Sequence, residues 1–342
     1  MTHSHYDPVL ITGGAGYIGS HALLALLDSG RDAVVVDDLS TGRRGAVPDG
    51  VPFYQGKAGD RALIGRVIAA HGCRAVMHFA GSIIVPDSVT LPLEYYQNNV
   101  VSSAELLRAC LDNGIERFVF SSTAAVYDGA ATGTTALSED AVTAPANPYG
   151  RGKLMTEWML HDIAAATGLR IAILRYFNVA GADQAGRSGQ YSKIPTHLIK
   201  RACQTVLGVL PHIEIFGNDY PTPDGTCVRD YIHISDLAQA HLAVLDHIGT
   251  GGGNVTMNCG YGHGYSVTQV LDVVDQVAKD MLNAEPMRRR PGPRRAGDPA
   301  SLIADTGRIR ETLNWQPKYD DLAIMAGSAL AWEERMMKRM NT

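Results

Sequence analysis

The stretch VLITGGAGYIGSH, residues 9–21, decides the fold of this chain. A short run typical of a buried strand leads into Gly13, Gly16 and Gly19, and a segment with helical periodicity follows. Glycine at such a junction permits a tight turn, lets the backbone approach a pyrophosphate and lets helix and strand pack closely. The phosphates then contact free N–H groups at the helix N-terminus. The stretch therefore predicts a dinucleotide-binding turn.

The second apolar run, residues 33–37, ends in Asp37. In dinucleotide-binding folds an acid at this place hydrogen-bonds the adenosine ribose hydroxyls and repels a 2′-phosphate, so it favours NAD over NADP. Arg43 and Arg44 follow soon after. They lie too far beyond the strand end to outweigh Asp37, and a solvated loop explains them better. The predicted cofactor is NAD.

Strand-like apolar runs alternate with helical segments over the first half of the chain. We predict strands at residues 9–12, 33–37, 75–79, 117–120 and 171–174, and helices at 21–29, 61–71, 100–113 and 153–167. This alternation predicts an α/β fold, a Rossmann-type doubly wound parallel sheet with a smaller C-terminal substrate-binding domain. We place the NAD-binding domain at residues 7–180, with the chain returning near 230–260, and the substrate-binding domain at 181–342.

The composition is that of an ordinary globular protein. The chain has 342 residues, of which 45% are hydrophobic and 19% charged, and its net charge is −5. A mild acidic balance argues against a nucleic-acid or anionic-membrane partner. The five cysteines are widely spaced and form no Cys-x-x-Cys or Cys/His cluster, so no metal site is expected and a reducing cytoplasm is favoured. We expect no signal peptide and no membrane span.

Tyr149 and Lys153 lie four residues apart, which places them one turn apart on the same helical face. A phenol, with an ordinary pKa of about 10, is a poor base at neutral pH. A neighbouring ammonium, aided by a positive nicotinamide ring, stabilises the phenolate. Ser121, Ser122 and Thr123 end a predicted strand upstream with hydroxyls, which alone would be turn chemistry. Together with the glycine turn, these features predict a redox active site.

The chain resembles the extended short-chain dehydrogenase/reductase family, and within it the branch that epimerises UDP-glucose and UDP-galactose at C4. The matching stretches span nearly the full length: TGGAGYIGSH at 12–21, HFAG at 78–81, PLEYYQNNV at 92–100, LRYFN at 174–178, IFGNDYPT at 215–222 and DGTCVRDYIH at 224–233. The resemblance implies NAD-dependent interconversion of the two UDP-sugars by oxidation at C4, rotation of a 4-keto intermediate and re-reduction.

The resemblance also implies residue roles. Tyr149 would take the proton of the sugar 4-hydroxyl, Lys153 would lower the pKa of Tyr149 and hold the nicotinamide ribose, and Thr123 would hydrogen-bond the same hydroxyl. The implied cofactor-binding positions are Gly13, Gly16, Tyr17, Ile18, Gly19, Asp37, Phe79, Ala80, Asn98, Tyr149, Lys153 and Phe177. The implied substrate-binding positions are Thr123, Asn178, His197, Leu198, Phe216, Arg229, Arg295, Asp298 and Leu302.

Four positions bear on how far the resemblance extends. Lys57 stands where the family has an aspartate beside adenine, which predicts a weaker hold on NAD. Ile83 replaces a lysine that some members carry near the nicotinamide ribose, and Asp128 replaces a usual glycine without a physical explanation. Leu302 aligns with a gate beside the sugar C2 substituent. We expect it to favour UDP-glucose and UDP-galactose over N-acetylated sugars.

The nearest alternative is a sugar-nucleotide 4,6-dehydratase on the same fold. That reaction needs an added acid and base, which its family supplies as Asp-Glu after the strand-end threonine, whereas here Thr123 is followed by Ala124 and Ala125. A net reductase, a different NAD-dependent sugar-nucleotide-modifying enzyme and a non-catalytic dinucleotide sensor are further candidates on this fold. The family also implies a homodimer that pairs the helices near residues 100–113 and 153–167. The apolar stripe Leu154, Trp158 and Ile163 supports this only weakly, because it could equally face the sheet.

Overall fold

A computed structural model describes residues 7–127, 136–191, 196–295 and 298–340 of the chain. Within these residues the strands are β1 (Val9–Thr12), β2 (Ala33–Asp37), β3 (Phe53–Gln55), β4 (Ala75–His78), β5 (Arg117–Ser121), β6 (Arg170–Tyr176), β7 (Asn178–Ala180), β8 (Ile213–Phe216), β9 (Val228–Arg229), β10 (Tyr231–His233), β11 (Val255–Cys259), β12 (Tyr265–Ser266), β13 (Arg289–Gly292) and β14 (Ser301–Leu302).

The α-helices of the same residues are α1 (Tyr17–Asp28), α2 (Arg61–His71), α3 (Val85–Thr90), α4 (Pro92–Tyr96), α5 (Ser102–Asp112), α6 (Pro148–Thr167), α7 (Leu198–Val206), α8 (Ile234–Gly249), α9 (Val267–Leu282), α10 (Gly307–Leu313) and α11 (Leu322–Met340). A π-helical turn, Gln97–Val101, joins α4 to α5. In the described parts of the chain, no helix combines the length and the apolar character needed to cross a membrane.

A parallel sheet forms the centre of the described structure, in the order β11-β6-β5-β4-β1-β2-β3. The strand order reverses between β1 and β4, so the carboxyl ends of these two strands border a crevice in which such folds bind ligands. Thr12, at the end of β1, pairs with Val36 on one side and with His78 on the other. The predicted Rossmann-type doubly wound sheet is confirmed.

Helices cover both faces of the sheet because side chains alternate along each strand. Val9 and Ile11 of β1 belong to a core cluster shared with α1 and α8, whereas Leu10 between them belongs to a second cluster shared with α2, α5 and α6. Both β1 and β2 are buried throughout, as expected of parallel strands with helices on both faces.

The C-terminal half builds small sheets beside the carboxyl edge of the large one. β7 pairs with β10, β8 with β13, and β9 lies between β12 and β14. Helix α8 returns the chain to the large sheet, where β11 pairs with β6. Residues 234–259 thus pass back beside the large sheet. The domain boundaries at 180 and 181 stay a prediction.

Candidate active site

A cavity of about 730 Å³ lies at the carboxyl edge of the sheet, between the glycine turn and the small C-terminal sheets. All but one of the predicted site residues line it. On the cofactor side these are Gly13, Gly16, Tyr17, Ile18, Gly19, Asp37, Phe79, Ala80, Asn98, Tyr149, Lys153 and Phe177. On the substrate side they are Thr123, Asn178, His197, Leu198, Phe216, Arg229, Arg295 and Asp298.

The glycine turn leaves no room for side chains. Gly13 has a φ of +75°, and a Cβ built on it would lie 2.5 Å from the backbone nitrogen of Ala80. A Cβ on Gly19 would lie 2.2 Å from the carbonyl oxygen of Gly13. Gly16 caps α1 without any side-chain hydrogen bond, so no side chain occupies the first N–H groups of the helix. Such a cradle fits a dinucleotide pyrophosphate.

Asp37 lies at the end of β2 beside this turn. Its carboxylate accepts hydrogen bonds from the backbone N–H groups of Ala15 (2.9 Å) and Leu39 (2.8 Å). Burial raises the pKa of Asp37, and these two donors act in the opposite direction. The two donors fix a carboxylate at the cavity wall, where it can accept from ribose hydroxyls.

The two arginines after β2 are engaged elsewhere. The Arg44 guanidinium lies 4.8 Å from the centre of the Phe53 ring and donates to the carbonyl of Val47. The Arg43 guanidinium lies 5.2 Å from the centre of the Tyr191 ring. Neither lines the cavity, whereas the exposed Lys57 does. These positions fit NAD better than NADP, and the weaker hold expected from Lys57 stays a prediction.

Helix α6 carries Tyr149 and Lys153 to the end of β5. Asn147 caps the helix by accepting a hydrogen bond from the Gly150 N–H at 2.9 Å. A Cβ on Gly150 would lie 2.3 Å from the carbonyl oxygen of Ala125, so the helix start packs directly on the 3₁₀ turn that follows Thr123. This close approach brings the Tyr149 phenol and the Thr123 hydroxyl into a hydrogen bond.

Burial dominates the electrostatics of the phenol and the ammonium. It raises the pKa of Tyr149 above its ordinary value, and the hydrogen bond with Thr123 acts in the opposite direction. Burial also lowers the pKa of Lys153 to about 8, opposed by the charge of Glu157. The sequence predicted a net lowering of the Tyr149 pKa by Lys153. Within the protein alone Lys153 is not among the groups that shift the Tyr149 pKa, and burial dominates, so a phenolate here needs a nearby positive charge such as a nicotinamide ring.

The Lys153 ammonium is held at the end of β5. Its Nζ donates to the carbonyl oxygen of Ser121 at 2.8 Å and lies 4.8 Å from the centre of the Phe120 ring. Lys153 is almost completely buried, although it borders the cavity that Tyr149 and Thr123 also line. The catalytic candidates therefore form one compact group.

Two arginine side chains lie at the opposite end of the cavity. Arg229, on β9, forms an ion pair with Asp298 at 2.5 Å, and the Arg295 guanidinium lies 4.0 Å from the centre of the Phe216 ring. His197 lies 2.5 Å from the amide nitrogen of Gln190 through its Nδ1. Two guanidinium groups next to an aromatic ring suit a diphosphate joined to a base.

Leu302 does not reach the cavity. It lies on β14, where it is paired with Arg229, and it packs half-buried against a cluster that contains Ala124, Tyr127 and Phe177. The resemblance concerned only the position of Leu302 in the sequence, whereas the pairing of β14 with β9 turns its side chain toward this cluster. Ile83 lines the cavity, and Asp128 falls outside the described residues.

Several cavity-lining residues were not predicted, among them Tyr176, Gln190, Tyr191, Arg201, Glu214 and Cys227. They come from β6, from the segment before α7, from α7 and β8, and from the segment before β9. Tyr176 and Cys227 lie within the quoted stretches LRYFN and DGTCVRDYIH, but no local motif marks the other four, which the packing of the C-terminal half brings to the cavity. Tyr176 adjoins the predicted Phe177 and Asn178, and Cys227 precedes the predicted Arg229 by two residues, so these two carried a signal in the sequence.

The sequence matches the model of one protein family, described as the NAD dependent epimerase/dehydratase family, over residues 9–260. The chain belongs to this family. It is 56% identical over 328 residues to UDP-glucose 4-epimerase of Azospirillum brasilense, an alignment that covers 96% of this chain and 92% of the relative.

Solved structures agree with this assignment. UDP-glucose 4-epimerase from Brucella ovis in complex with NAD has a TM-score of 0.90 and 40% identity, over 95% of this chain and 98% of that one. The enzyme from Bifidobacterium longum in complex with NAD⁺ and UDP has a TM-score of 0.89 and 37% identity, over 96% and 98%. The predicted resemblance, the isomerase class and the NAD cofactor are confirmed.

Proposed function

We propose that this protein interconverts UDP-galactose and UDP-glucose by NAD-dependent epimerisation at C4. The observation that carries the proposal is the shared cavity. It joins a dinucleotide cradle, the group formed by Tyr149, Thr123 and Lys153, and the cationic end at Arg229 and Arg295. A UDP-sugar held at that end would extend its hexose toward the phenol.

Tyr149 transfers the proton of the hydroxyl group at C4. Its phenolate takes the proton of the sugar 4-hydroxyl, while Thr123 holds that hydroxyl by a hydrogen bond and Lys153 stabilises the negative oxygen. NAD, when bound, supplies a reversible acceptor for the hydrogen that leaves C4 with its electron pair. In the second half of the reaction Tyr149 returns the proton to the 4-oxygen, so neither the protein nor the cofactor is consumed.

Inversion requires that the 4-keto sugar present its opposite face before re-reduction. Arg229 and Arg295 would hold the diphosphate throughout, as charge-assisted contacts can. Rotation about the bonds between the phosphates and the hexose then turns the sugar within the cavity. Because oxidation and reduction use the same residues, the site needs no second acid or base.

Dehydration is not supported by the same site. Ala124 and Ala125 follow Thr123 in the 3₁₀ turn, and neither side chain can move a proton. The half-buried Leu302 supports no direct contact with a C2 substituent. A preference for UDP-glucose and UDP-galactose over N-acetylated sugars therefore stays a prediction.

We also propose that the protein forms a homodimer in the cytoplasm. Large apolar side chains stand exposed on α4, on the π-helical turn and on α6, namely Leu93, Val101, Met155 and Trp158. Both α4 and the π-helical turn pack against α6, which brings these exposed side chains onto neighbouring elements, and a second copy of the chain would cover them as one dimer face. All five cysteines are buried free thiols, which suits a reducing compartment.

The direct test is to incubate the purified protein, loaded with NAD, with UDP-galactose and to measure UDP-glucose by chromatography. Tyr149→Phe should lower turnover by at least ~100-fold, since it removes the proton acceptor but keeps the ring. Binding of NAD, measured by calorimetry, should remain close to that of the wild type. Conversion by the phenylalanine variant at the wild-type rate would contradict the assigned role.

A further inference from the structure

A buried ionic pair lies directly beneath the catalytic group and is used by no step described so far. Glu157, on α6, is 1% exposed, and Arg175, on β6, is 7% exposed. Two guanidinium nitrogens of Arg175 donate hydrogen bonds to the Glu157 carboxylate. Nη2 lies 2.6 Å from Oε2, and Nε lies 3.1 Å from Oε1 and 3.2 Å from Oε2. Burying such a pair requires compensation by further hydrogen bonds.

The carboxylate side of the pair contacts the catalytic segment. Glu157 follows Lys153 by one helical turn, and the hydroxyl of Ser122 donates a hydrogen bond to its Oε1. Ser122 lies between Ser121, whose carbonyl accepts from Lys153, and Thr123, which lines the cavity. One carboxylate thus lies one helical turn along α6 from Lys153, acts on its charge and also anchors the segment whose Ser121 carbonyl holds the ammonium.

The guanidinium side of the pair contacts the chain beyond Thr123. Arg175 donates to the Tyr127 hydroxyl and to the Glu139 carbonyl, both at 3.1 Å. Tyr127 in turn donates to Oδ1 of Asn258 at 2.6 Å. The first turn of α6 packs on the 3₁₀ turn between Thr123 and Tyr127. The Glu157–Arg175 pair therefore connects α6 and this turn, which carry the catalytic group, to β6 and β11.

We propose that Glu157, held in place by Arg175, is a positioning residue that keeps the Lys153 ammonium charged and fixes the segment from Ser121 to Thr123. This proposal depends on the proposed function in one respect, namely that Lys153 stabilises the negative oxygen of Tyr149. The charge of Lys153 itself can be measured without any substrate, so the two can fail separately.

The surroundings of Lys153 explain why a carboxylate matters there. Burial lowers the pKa of Lys153 to about 8, and Glu157 is the group that raises it. Among the other ionisable groups, His78 on β4 interacts with the charge of Lys153, Tyr149 lies one helical turn before Lys153 on α6, and Arg175 on β6 pairs with Glu157. Tyr95 on α4 and Tyr176 on β6 interact with Tyr149. Burial keeps the pKa of His78 at about 3, so that ring is neutral at pH 7. The acids Asp87 and Glu94, on the packed helices α3 and α4, are exposed.

The test follows the charge of Lys153 by NMR in NAD-loaded protein labelled with [6-¹³C]lysine. The chain has seven lysines, and a Lys153→Arg variant assigns the signal. In Glu157→Gln, a near-isosteric change, the ammonium loses its counter-charge and faces the Arg175 cation, so its titration midpoint should fall by about one pH unit. The alkaline limb of turnover should move to lower pH by the same amount.

The matched variant is Arg175→Gln, which leaves the Glu157 carboxylate facing Lys153 alone. Its midpoint should rise, and Glu157→Asp, which keeps the charge, should stay closer to the wild type than Glu157→Gln. If the Glu157–Arg175 pair only stabilises the fold, Glu157→Gln and Arg175→Gln should both lower turnover. The Lys153 titration midpoint would then not fall in one variant and rise in the other. That result, or unchanged midpoints in folded protein, would overturn the proposal. If Glu157→Gln does not fold, the direction of the shift in Arg175→Gln decides.

Discussion

Gly19 shows how a single missing side chain permits nucleotide binding. A Cβ at this position would lie 2.2 Å from the Gly13 carbonyl oxygen, which belongs to the turn beneath the expected pyrophosphate. We expect Gly19→Ala to displace the turn, to weaken NAD binding measured by calorimetry by at least tenfold, and to destabilise the fold by ~1–3 kcal/mol through overpacking.

The matched control is Gly45→Ala. Gly45 has no atom within 4 Å of a Cβ built on it, and its φ is not positive. This variant should bind NAD as the wild type does. Equal NAD affinity in Gly19→Ala and Gly45→Ala would show that the close approach at Gly19 does not shape the cofactor site.

Single residues were predictable where a local rule fixes their neighbours. Tyr149 and Lys153 must share a helical face if α6 forms, and Asp37 must stand at a strand end if β2 forms. Leu302 is not among the residues that line the cavity, and its side-chain direction depends on the pairing of β14 with β9, which no local pattern encodes. The same limit applies to Arg201 and Glu214, which meet the cavity only through long-range packing.

At the scale of elements, α6 has two faces with different partners. Lys153, Glu157 and Leu160 are buried toward the sheet, whereas Trp158 is 57% exposed on the opposite side. We expect Trp158→Glu to place a charge on the proposed dimer face and to convert the protein to a monomer at micromolar concentration, measured by light scattering.

A suitable control is Val209→Glu, which alters a comparably exposed apolar side chain just beyond α7, away from that face. It should leave the mass unchanged. A wild-type protein that is already monomeric, or a dimer that survives Trp158→Glu, would refute the proposed face.

The sequence predicted which elements exist more accurately than where they begin. Helix α2 matches its predicted range, but α6 begins at Pro148, five residues before the predicted start, because Asn147 and Pro148 supply the cap and the first turn. In the apolar stripe of α6, Leu154 packs inward and Ile163 packs against the core, so Trp158 alone faces out. Strand β3 was missed because two of its three residues are only partly buried and the third, Gln55, is exposed.

For the molecule as a whole, buried histidines predict a loss of stability in mild acid. His21, His78, His233 and His241 are nearly inaccessible, and burial lowers their pKa values to about 4, 3, 4 and 4. In the unfolded chain they titrate near 6.5, so the stability associated with their neutral forms is complete above about pH 6.5. It is lost as the pH falls toward 4.

Urea unfolding measured from pH 7.5 to 4.5 should show this loss, with a slope approaching ~1.4 kcal/mol per pH unit for each histidine. Asp230 offsets part of it, because burial raises its pKa to about 6. His78→Gln should reduce the slope by the contribution of one histidine. His161→Gln, at an exposed position, should leave the slope unchanged. A free energy of unfolding that stays constant between pH 7 and 5 would contradict the prediction.

The architecture was largely predictable because parallel strands buried on both faces produce continuous apolar runs, and the glycine turn marks the first of them. That alternation and right-handed crossovers restrict the order of the large sheet to a few doubly wound arrangements, among which the glycine turn indicates the Rossmann type. The short strands β7 to β10 and β12 to β14 were not predictable in pairing, since two to four residues carry too little periodicity. They nevertheless frame the cationic end of the cavity.

The central claim is that the hydrogen on the sugar C4 leaves and returns within one site. The most direct measurement uses UDP-galactose deuterated at C4, the NAD-loaded protein, mass spectrometry of the product and absorbance of NADH. We predict UDP-glucose that keeps the deuterium at C4, with no stoichiometric build-up of NADH. Loss of the label to solvent, or one NADH formed for each sugar converted, would contradict the account.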